Sequence, residues 1–373
     1  MLHRARLAAV ASYLPSETRS TAETERRLRT ENPDLALATG LVARLTGVQN
    51  VHVRPEGWQT SDLAAAAAST ALERSPGPID LLIFASASQD LIEPATSHIV
   101  SAKLGLDCPV MDVKNACNSV INAMQVGEAL IATGQYRRVL IVSGEQPSHA
   151  VRWKLDSQEQ FLRSFAGYTM SDAGAAVILE RTEHSGEGGP AGNGGPARAG
   201  EGGPARADKG DPAGERGPAG EGDLAPGILG SRFVARSEHW AVGTLPTGGS
   251  VNPHAIGGSY FDMDGGALQR AFADLGVGLV EQTLGSLGFR IAELDFVAVH
   301  QVALAYHETI VDVQGLDPAR TVVTVAEHGN LASTTLPVQL ELALAEGTIG
   351  PGSLVGLVGL AGGISLGAMV VRL

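Results

Sequence analysis

Residues 110–133 read VMDVKNACNSVINAMQVGEALIAT, a short apolar run followed by a longer helical pattern. Val110–Val113 has the composition of a buried strand, whereas the apolar positions from Val120 to Ile131 recur every three or four residues, as on one face of a helix. A strand that leads directly into a helix is the repeating unit of an α/β protein. Cys117 lies at the junction, so a thiol is expected at the edge of a sheet, where a helix begins.

The same alternation of strand and helix patterns continues on both sides of this segment and predicts an α/β fold. Further strands are predicted at residues 79–85, 139–143, 175–179, 296–299, 322–325, 354–359 and 368–371. Helices are predicted at residues 61–73, 118–133, 265–287, 303–313 and 335–346. Residues 172–180 and 365–373 have similar sequences, which hints at a duplicated half.

The composition is that of a large, rather apolar soluble enzyme. The 373 residues are 44% hydrophobic and 18% charged, enough for a sizeable core in two domains or in one two-halved unit. Lys and Arg number 27 against 40 Asp and Glu, and the net charge of −13 repels nucleic acid and anionic membranes. We therefore expect neither as a partner.

No targeting segment or membrane span is expected either. The apolar run at residues 7–10 is too short for a signal peptide. Residues 353–371 are apolar but contain five glycines, so they are expected to form paired buried strands instead of a membrane helix. These patterns predict a cytoplasmic protein. With only Cys108 and Cys117, no disulfide framework is expected.

The composition changes abruptly between residues 185 and 226, which are rich in Gly, Pro, Ala, Glu and Arg. Glycine does not keep the every-third-residue period of collagen there, and too few large apolar side chains are present to pack a core. We predict a disordered insertion at 182–227, between an N-terminal half at 1–181 and a C-terminal half at 228–373. Its deletion is expected to leave folding and activity nearly intact, unless it is an interaction arm.

Three polar side chains are predicted at strand-to-helix edges, where open α/β sheets place their sites. Cys117 precedes a helix, whose N–H groups and dipole favour the nucleophilic thiolate, although a free cysteine is more often a small buried hydrophobe. His300 follows the strand pattern at 296–299, and Asn330 follows the one at 322–325. A core histidine and a turn residue beside a glycine are the ordinary alternatives for these two.

Gly362 and Gly363 separate two apolar runs and form either a plain turn or a set of backbone N–H groups that bind a developing oxyanion. Cys, His and Asn together fit a papain-like thiol hydrolase or a thioester acyltransferase. The parallel α/β pattern disfavours the papain-like hydrolase. The chain's motifs predict neither a metal site nor a bound cofactor.

In their order and spacing, these motifs resemble the ketoacyl-acyl-carrier-protein synthase III family of the thiolase superfamily, over nearly the whole chain apart from the insertion. The resemblance rests on Tyr-Leu-Pro at 13–15, Ala-Cys at 116–117, Asp-x-Gly-Ala at 172–175, His-Gln at 300–301, Gly-Asn at 329–330 and Gly-Gly-Ile-Ser-Leu-Gly at 362–367. The order and spacing of these matches together are highly specific.

This resemblance implies a thiolase-like αβαβα layered fold of two similar halves that works as a homodimer. It implies that Cys117 forms an acyl-enzyme, with the backbone N–H groups of Cys117 and Gly362 as the oxyanion hole. His300 and Asn330 would hold the carbonyl of a malonyl thioester while carbon dioxide leaves and the carbanion attacks the acyl-enzyme. The acyl groups would arrive on coenzyme A or on the phosphopantetheine of an acyl-carrier protein.

The chain departs from the family where coenzyme A is usually bound. Leu41 and Leu45 stand in place of an adenine-stacking Trp and an Arg, and Gly266, Ala303 and Ala305 in place of two Asn and an Arg. Leu and Ala side chains cannot make the cation–π and phosphate contacts of those residues. We hypothesise a specialised relative, as in secondary metabolism, that takes its acyl group from a carrier protein or an unusual thioester.

Other functions remain open beside condensation. Some relatives move the acyl group to a hydroxyl, an amine or a second carrier thiol; the lost coenzyme A contacts favour such a transfer, whereas retention of Asn330 favours condensation. A thioester hydrolase would release the free acid. A non-catalytic partner of a true synthase usually lacks the nucleophile, which this chain keeps. Trp153, Phe161 and Phe165 are candidates to line or cover the entrance.

Overall fold

Two mixed β-sheets, one from each half of the chain, organise the fold. The computed structural model describes residues 3–182, 225–254, 259–273, 275 and 277–373. The first half contains β1 (Ala5–Tyr13), β2 (Thr18–Ser20), α1 (Thr21–Glu31), α2 (Leu41–Thr46), β3 (Asn50–His52), α3 (Thr60–Arg74), β4 (Leu81–Ala85), α4 (Thr96–Leu104), β5 (Val110–Val113), α5 (Ser119–Ala132), β6 (Arg138–Glu145), α6 (Gln158–Ser164) and β7 (Ala173–Arg181). The second half contains β8 (Gly227–Ala235), β9 (Gly243–Thr244), β10 (Asp262–Met263), α7 (Gly265–Ala273), α8 (Leu279–Gly285), β11 (Phe296–Val299), α9 (Leu304–Val313), α10 (Val325–His328), α11 (Thr335–Ala345), β12 (Leu354–Ala361) and β13 (Ser365–Arg372).

The two large sheets repeat one topology. The first has the strand order β1-β7-β6-β4-β5 and the second β8-β13-β12-β11. In the first sheet β7 runs antiparallel to β1 and β6, and β6 is parallel to β4. In the second, β13 runs antiparallel to β8 and β12, and β12 is parallel to β11. The two halves therefore share one strand pattern, which confirms the predicted similarity, and β5 is an additional edge strand of the first.

The sheets and helices form alternating layers. Helix α11 contacts both sheets, and α5 packs on the first sheet while its start lies against β12 of the second. Helices α3 and α4 cover the outer face of the first sheet, and α8 covers that of the second. This is the predicted αβαβα arrangement, with the starts of α5 and α11 enclosed between the sheets.

Successive side chains of a strand point to opposite faces of the sheet, and here both sets are apolar, so both faces of the sheet are buried under helices. In β4, Leu81 and Ile83 face the central layer, whereas Leu82 and Phe84 pack against the alanine-rich face of α3. All four side chains are at most 2% exposed. Burying side chains of this size stabilises the fold by about 1.5–3 kcal/mol each.

Two predicted elements differ from those observed. The helix predicted at 265–287 is divided into α7 and α8, because Gly278 adopts the left-handed φ of 71° and begins α8 as its N-cap.

The strand predicted at 322–325 is wrong, and α10 begins there instead. Backbone groups of this segment are bonded by the Gln301 side chain, which accepts the N–H groups of Thr324 and Val325, both at 2.9 Å, and donates to the Val322 carbonyl. A side chain thus replaces the neighbouring strand that a sheet would supply.

Most of the predicted insertion, from residue 183 to residue 224, lies outside the described residues. Its two flanks meet at Arg4: the N–H of Thr182 donates to the Arg4 carbonyl at 2.9 Å, and Arg4 Nη1 donates to the carbonyl of Ala225 at 3.0 Å. Gly227, placed in the insertion by the sequence, begins β8. The chain therefore leaves β7 and enters β8 beside the same arginine.

The described part of the chain holds no helix that is both long and apolar enough to cross a membrane. Cys108 and Cys117 are both free thiols. Residues 353–371 form the β12–β13 hairpin, as predicted.

Candidate active site

Cys117 lies in a tight turn between β5 and α5. Helix α5 begins at Ser119 with Asn118 as its N-cap, so Cys117 stands one residue before the cap. The turn is braced by Ser119, whose Oγ donates to the Ala116 carbonyl at 2.7 Å and accepts the N–H of Asn115 at 2.9 Å. Ala116 has a φ of 45°, a left-handed conformation that costs about 1–3 kcal/mol in a residue other than glycine. The surrounding bonds hold the thiol at a strained turn.

The thiol of Cys117 is not the stabilised thiolate that its position predicted. Burial and the neighbouring Glu145 carboxylate raise the pKa of Cys117 from 9.0 to about 12. The helix N-terminus acts in the opposite direction, but its effect is smaller than the loss of hydration around the sulfur. Cys117 is therefore a protonated thiol at neutral pH, and the expectation of a lowered pKa is wrong.

Asn118 ties the Cys117 turn to the second sheet. Its Nδ2 donates to Ser365 Oγ at 2.9 Å. Its Oδ1 lies so close to Gly359 that a Cβ at that position would collide with it. The nucleophile turn is thus anchored on β12 and at the start of β13.

His300 follows β11 and lies next to the same part of β12. Its N–H donates to the carbonyl of Val358 at 2.8 Å, one residue before Gly359. His300 is 3% exposed. The Nδ1 atom of its ring lies 3.1 Å from Thr335 Oγ1. The other ring nitrogen, Nε2, is buried and has no hydrogen-bond partner in the structure. Burial lowers the pKa of His300 to about 4. The ring is therefore neutral at physiological pH and has one nitrogen available to a ligand.

Asn330 is held by backbone bonds on both sides. Its N–H donates to the Thr169 carbonyl at 2.8 Å, and its carbonyl accepts the N–H of Ser171 at 3.0 Å. Its Oδ1 accepts the N–H of Ala332 at 2.9 Å, which orients the amide so that Nδ2 points away from this bond. Gly329 allows this approach, because it has a φ of 66° and a Cβ there would lie 2.6 Å from the Thr169 carbonyl oxygen.

Glu145 links the Cys117 region to the segment that carries Asn330. The carboxylate is 1% exposed and lies at the end of β6, where it accepts hydrogen bonds from Ser333 Oγ and Ser88 Oγ. Ser333 is three residues beyond Asn330, and Glu145 is close enough to Cys117 to raise its pKa. The structure therefore brings the three predicted side chains to one region between the sheets.

Gly362 lies in the turn of the β12–β13 hairpin. The register pairs Ala361 with Ser365, so the turn consists of residues 362–364. Because Ser365 is bonded to Asn118, this turn adjoins the nucleophile turn. The role of the Gly362 N–H as an oxyanion donor stays a prediction.

Sequence reasoning missed Glu145, Ser333, Ser365 and Thr335. Three of these are hydroxyl residues, which are common everywhere in a chain, so their residue type alone does not indicate a role. Glu145 did carry a signal, since it is a charged residue at the end of the apolar run Arg138–Glu145, whose residues are all buried. A buried carboxylate is rare unless it is paired or hydrogen-bonded.

The departures from the family pattern fall on neighbouring elements. Leu45 is 54% exposed near the end of α2, and Gly47, the C-cap of this helix, lies close to Leu304 at the start of α9. Ala303 is the N-cap of α9, and Ala305 lies in its first turn. Leu45, Ala303 and Ala305 therefore lie on two elements whose ends are in contact.

The predicted entrance aromatics form part of a cluster with Leu41. Phe161 and Phe165 pack against Tyr168, with ring centroids 5.7 and 6.4 Å from it. The indole of Trp153 is contacted by two guanidinium groups, Arg27 at 3.9 Å and Arg19 at 4.9 Å from the ring centroid. That these rings cover an entrance stays a prediction. Across the described ranges, no group of three or more His, Cys, Asp or Glu side chains is arranged to hold a metal ion.

Comparison with known proteins identifies relatives along the full length. Residues 111–189 match the family model of 3-oxoacyl-[acyl-carrier-protein] synthase III, and residues 284–373 match the model of its C-terminal region. The chain is 31% identical to beta-ketoacyl-[acyl-carrier-protein] synthase III 3 of Streptomyces coelicolor, over 97% of this chain and 95% of the relative. It is 30% identical to beta-ketoacyl-[acyl-carrier-protein] synthase III of Dinoroseobacter shibae, over 99% of both chains.

Solved structures agree with the layered fold. The crystal structure of a variant of Xanthomonas campestris OleA superimposes with a TM-score of 0.80 at 23% identity, covering 99% of this chain and 98% of that one. At this identity the likeness shows a shared fold. The predicted thiolase-like architecture is confirmed.

Proposed function

The chain belongs to the 3-oxoacyl-[acyl-carrier-protein] synthase III family, and we propose that it condenses an acyl group carried on Cys117 with a malonyl thioester. As a member of this family it is an acyl-transferring enzyme. The observation that carries the proposal is the buried Nε2 of His300, which has no protein partner and lies in the region of Cys117 and Asn330.

The first step would load the acyl group. The sulfur of Cys117 attacks the thioester carbonyl, and collapse of the tetrahedral intermediate breaks the bond to the donor thiol. The proton of the Cys117 thiol passes finally to the departing thiolate, so the exchange is neutral overall. The backbone N–H groups of Cys117 and Gly362 would bind the oxyanion, as expected from the hairpin turn beside the nucleophile turn.

The second step would form the carbon–carbon bond. Loss of carbon dioxide from a malonyl thioester leaves an enolate, whose oxygen would receive hydrogen bonds from His300 Nε2–H and Asn330 Nδ2–H. These bonds strengthen as the negative charge develops and therefore lower the barrier to decarboxylation. The carbanion then attacks the acyl carbonyl, and the Cys117 thiolate leaves and recovers a proton.

A transfer without carbon–carbon bond formation is the second candidate. It is favoured by Leu41 and Leu45, which remove the usual contacts to coenzyme A and point to a different donor or acceptor. An acceptor hydroxyl, amine or carrier thiol would need a base that takes its proton. A hydrolase is less favoured, because the chain keeps Asn330, which hydrolysis of an acyl-enzyme does not require.

Acyl-coenzyme A or an acylated carrier protein is the proposed donor, and a second copy of the chain is the proposed partner. Strand β5 lies at the edge of its sheet: in the described residues it pairs with β4 on one side and with no strand on the other. An unpaired strand edge can pair with another chain, which supports a homodimer. Cys117 follows this strand by four residues.

Intact-protein mass spectrometry tests the loading step. Wild type, Cys117→Ala and Cys108→Ala are incubated with a panel of acyl-coenzyme A and acyl-carrier-protein thioesters. We expect an acyl mass increment on wild type and Cys108→Ala and none on Cys117→Ala. An increment that persists in Cys117→Ala, or neither an increment nor free acid from wild type with any donor, contradicts the proposed nucleophile. Free acid that wild type releases and Cys117→Ala does not would show instead that the acyl-enzyme is hydrolysed.

Carbon dioxide release from malonyl thioesters tests the second step. We expect the loaded wild type to decarboxylate a malonyl thioester and Asn330→Ala to do so at least about 10²-fold more slowly, the scale of loss of one preorganised oxyanion donor. Acyl transfer to an amine or hydroxyl without carbon dioxide release would instead establish the second candidate.

A further inference from the structure

We propose that Thr335 is a positioning residue that fixes the tautomer of His300, so that Nε2 carries the proton and donates to the substrate oxygen. This inference rests on the proposed function, because it specifies how His300 would stabilise the enolate. It assigns a role to a side chain that carries no family motif in this sequence.

The geometry places the Thr335 hydroxyl against one ring nitrogen. Thr335 begins α11 and is 1% exposed, and its Oγ1 is 3.1 Å from His300 Nδ1. The main chain of His300 is held by the hydrogen bond from its N–H to the Val358 carbonyl. The other ring nitrogen, Nε2, is buried without a partner in the structure. The imidazole therefore has one nitrogen turned to the protein and one reserved for a ligand.

A hydroxyl has a single proton, and Thr335 has two acceptors within reach. One is His300 Nδ1, and the other is the carbonyl of Ala332, 2.9 Å from Oγ1. The Ala332 carbonyl already accepts the backbone N–H of Thr335 and so does not need the hydroxyl proton. A neutral Nδ1 without a proton would remain an unsatisfied buried acceptor, which costs about 1–3 kcal/mol. In the reverse arrangement, Nδ1–H donates to Thr335 Oγ1 and the hydroxyl donates to Ala332, so the protein's own groups are satisfied either way. Only donation from Thr335 to Nδ1 leaves Nε2–H for the substrate oxygen, which is what the proposed condensation needs.

This choice decides what the histidine does. A neutral imidazole has one N–H, so a ring that accepts at Nδ1 must carry its proton at Nε2. Nε2–H can then donate to the carbonyl oxygen of a malonyl thioester, as decarboxylation requires. In the reverse tautomer, Nδ1–H donates to Thr335 and Nε2 becomes a base, which suits proton removal from a hydroxyl or amine acceptor. Thr335 therefore selects between the two reactions considered for this chain.

Two variants separate the hydroxyl from the side-chain volume. Thr335→Val keeps the shape and removes the proton donor, whereas Thr335→Ser keeps the donor and removes a methyl group. We expect Thr335→Val to load acyl groups on Cys117 within about twofold of wild type but to decarboxylate malonyl thioester about 10–100-fold more slowly, the scale found when a group that orients a metal-bound histidine is lost. Thr335→Ser should retain decarboxylation within about threefold. Wild-type decarboxylation by Thr335→Val, or an equal loss of loading and decarboxylation, would overturn the proposal.

The tautomer can also be observed without activity. In protein labelled with 15N-histidine, the ring signals of His300 are identified by their absence from His300→Gln, and each nitrogen reports whether it carries the proton. We expect Nε2 protonated and Nδ1 unprotonated in wild type. A proton at Nδ1 would refute the inference even if condensation is found. Conversely, absence of any malonyl decarboxylation by wild type would reject the proposed function, while the labelled ring would still report the tautomer.

Discussion

At Cys117 two influences on one thiol oppose each other, and their magnitudes decide the outcome. A helix N-terminus stabilises a nearby negative charge by about 0.3–1 kcal/mol, which is less than one pKa unit. Burial and the Glu145 carboxylate raise the pKa of Cys117 from 9.0 to about 12, equivalent to about 4 kcal/mol. The resting nucleophile is therefore a thiol, and its attack must be coupled to loss of the proton.

Alkylation kinetics test this protonation state. In Cys108→Ala, which leaves Cys117 as the one cysteine, the rate of reaction with iodoacetamide should rise about tenfold per pH unit from pH 7 to pH 10, because the thiolate fraction rises in that proportion below the pKa. Cys117→Ala provides the blank. A rate that levels off near pH 8 would show a thiolate stabilised by the helix and refute the raised pKa.

His300 couples the stability of the fold to pH. Burial lowers its pKa from 6.5 to about 4, so the unfolded chain binds a proton on this residue at a higher pH than the folded chain does. The contribution is fully present above pH 6.5 and is lost as the pH falls towards 4. Between pH 7 and pH 4.5 we expect His300 to reduce the free energy of unfolding by about 2 kcal/mol.

Urea unfolding of wild type and His300→Gln at both pH values measures this contribution. The free energy of unfolding should fall by about 2 kcal/mol less between pH 7 and pH 4.5 in His300→Gln than in wild type, because the carboxylates contribute equally in both proteins. An identical loss in both would show that His300 has no lowered pKa in the folded state.

The reach of sequence reasoning differs among the site residues. Cys117 and His300 were found because each ends or follows a strand pattern that the structure reproduces, at Val110–Val113 and Phe296–Val299. Thr335 could not be found, because its contact with His300 joins positions 35 residues apart and depends on how α11 packs between the sheets. The raised pKa of Cys117 cannot be predicted from the sequence, because it depends on the packing around the sulfur and on the nearby Glu145 carboxylate, which are tertiary properties.

Among the elements, the segment before Asn330 shows how a side chain can replace a sheet. The β-branched run at 322–325 has strand composition, yet Gln301 satisfies its backbone groups and α10 follows. The hydrophobic period and the composition of this run cannot predict the helix, because the groups that replace a neighbouring strand belong to the side chain of Gln301, which is 1% exposed. The result is a short helix that delivers Asn330 to the site.

Removal of that glutamine should destabilise the protein. Gln301→Leu leaves two N–H groups and one carbonyl without their partner, and unsatisfied buried groups cost about 1–3 kcal/mol each. We expect a loss of at least about 2 kcal/mol in urea unfolding at pH 7. The exposed Gln135→Leu serves as a matched control and should change stability by less than about 0.5 kcal/mol. Equal stability of the two variants would contradict this role of Gln301.

For the whole molecule, the repeated strand pattern was visible in the similar endings of the two halves, whereas the central layer was not. Helices α5 and α11 have apolar positions on several faces, and nothing in their sequences says that each would face two sheets. That arrangement arises because both sheets bury their inner faces against these helices.

The segment at 183–224 is expected to be dispensable. Because Thr182 and Ala225 both bind Arg4, a short linker can join β7 to β8 without moving either strand. Replacement of residues 185–224 by Gly-Ser-Gly-Ser should preserve the melting temperature within about 3 °C and the loading of Cys117 within about twofold. A variant that folds and loads but no longer binds a carrier protein would instead identify the segment as an interaction arm.

The shared contact at Arg4 also marks an opening for protein engineering. A carrier domain whose own two ends lie close together could be inserted between β7 and β8 without lengthening any core element. Tethering by short flexible linkers raises the effective concentration of a partner to the millimolar range. A weak encounter between two proteins would thereby become an intramolecular delivery of substrate.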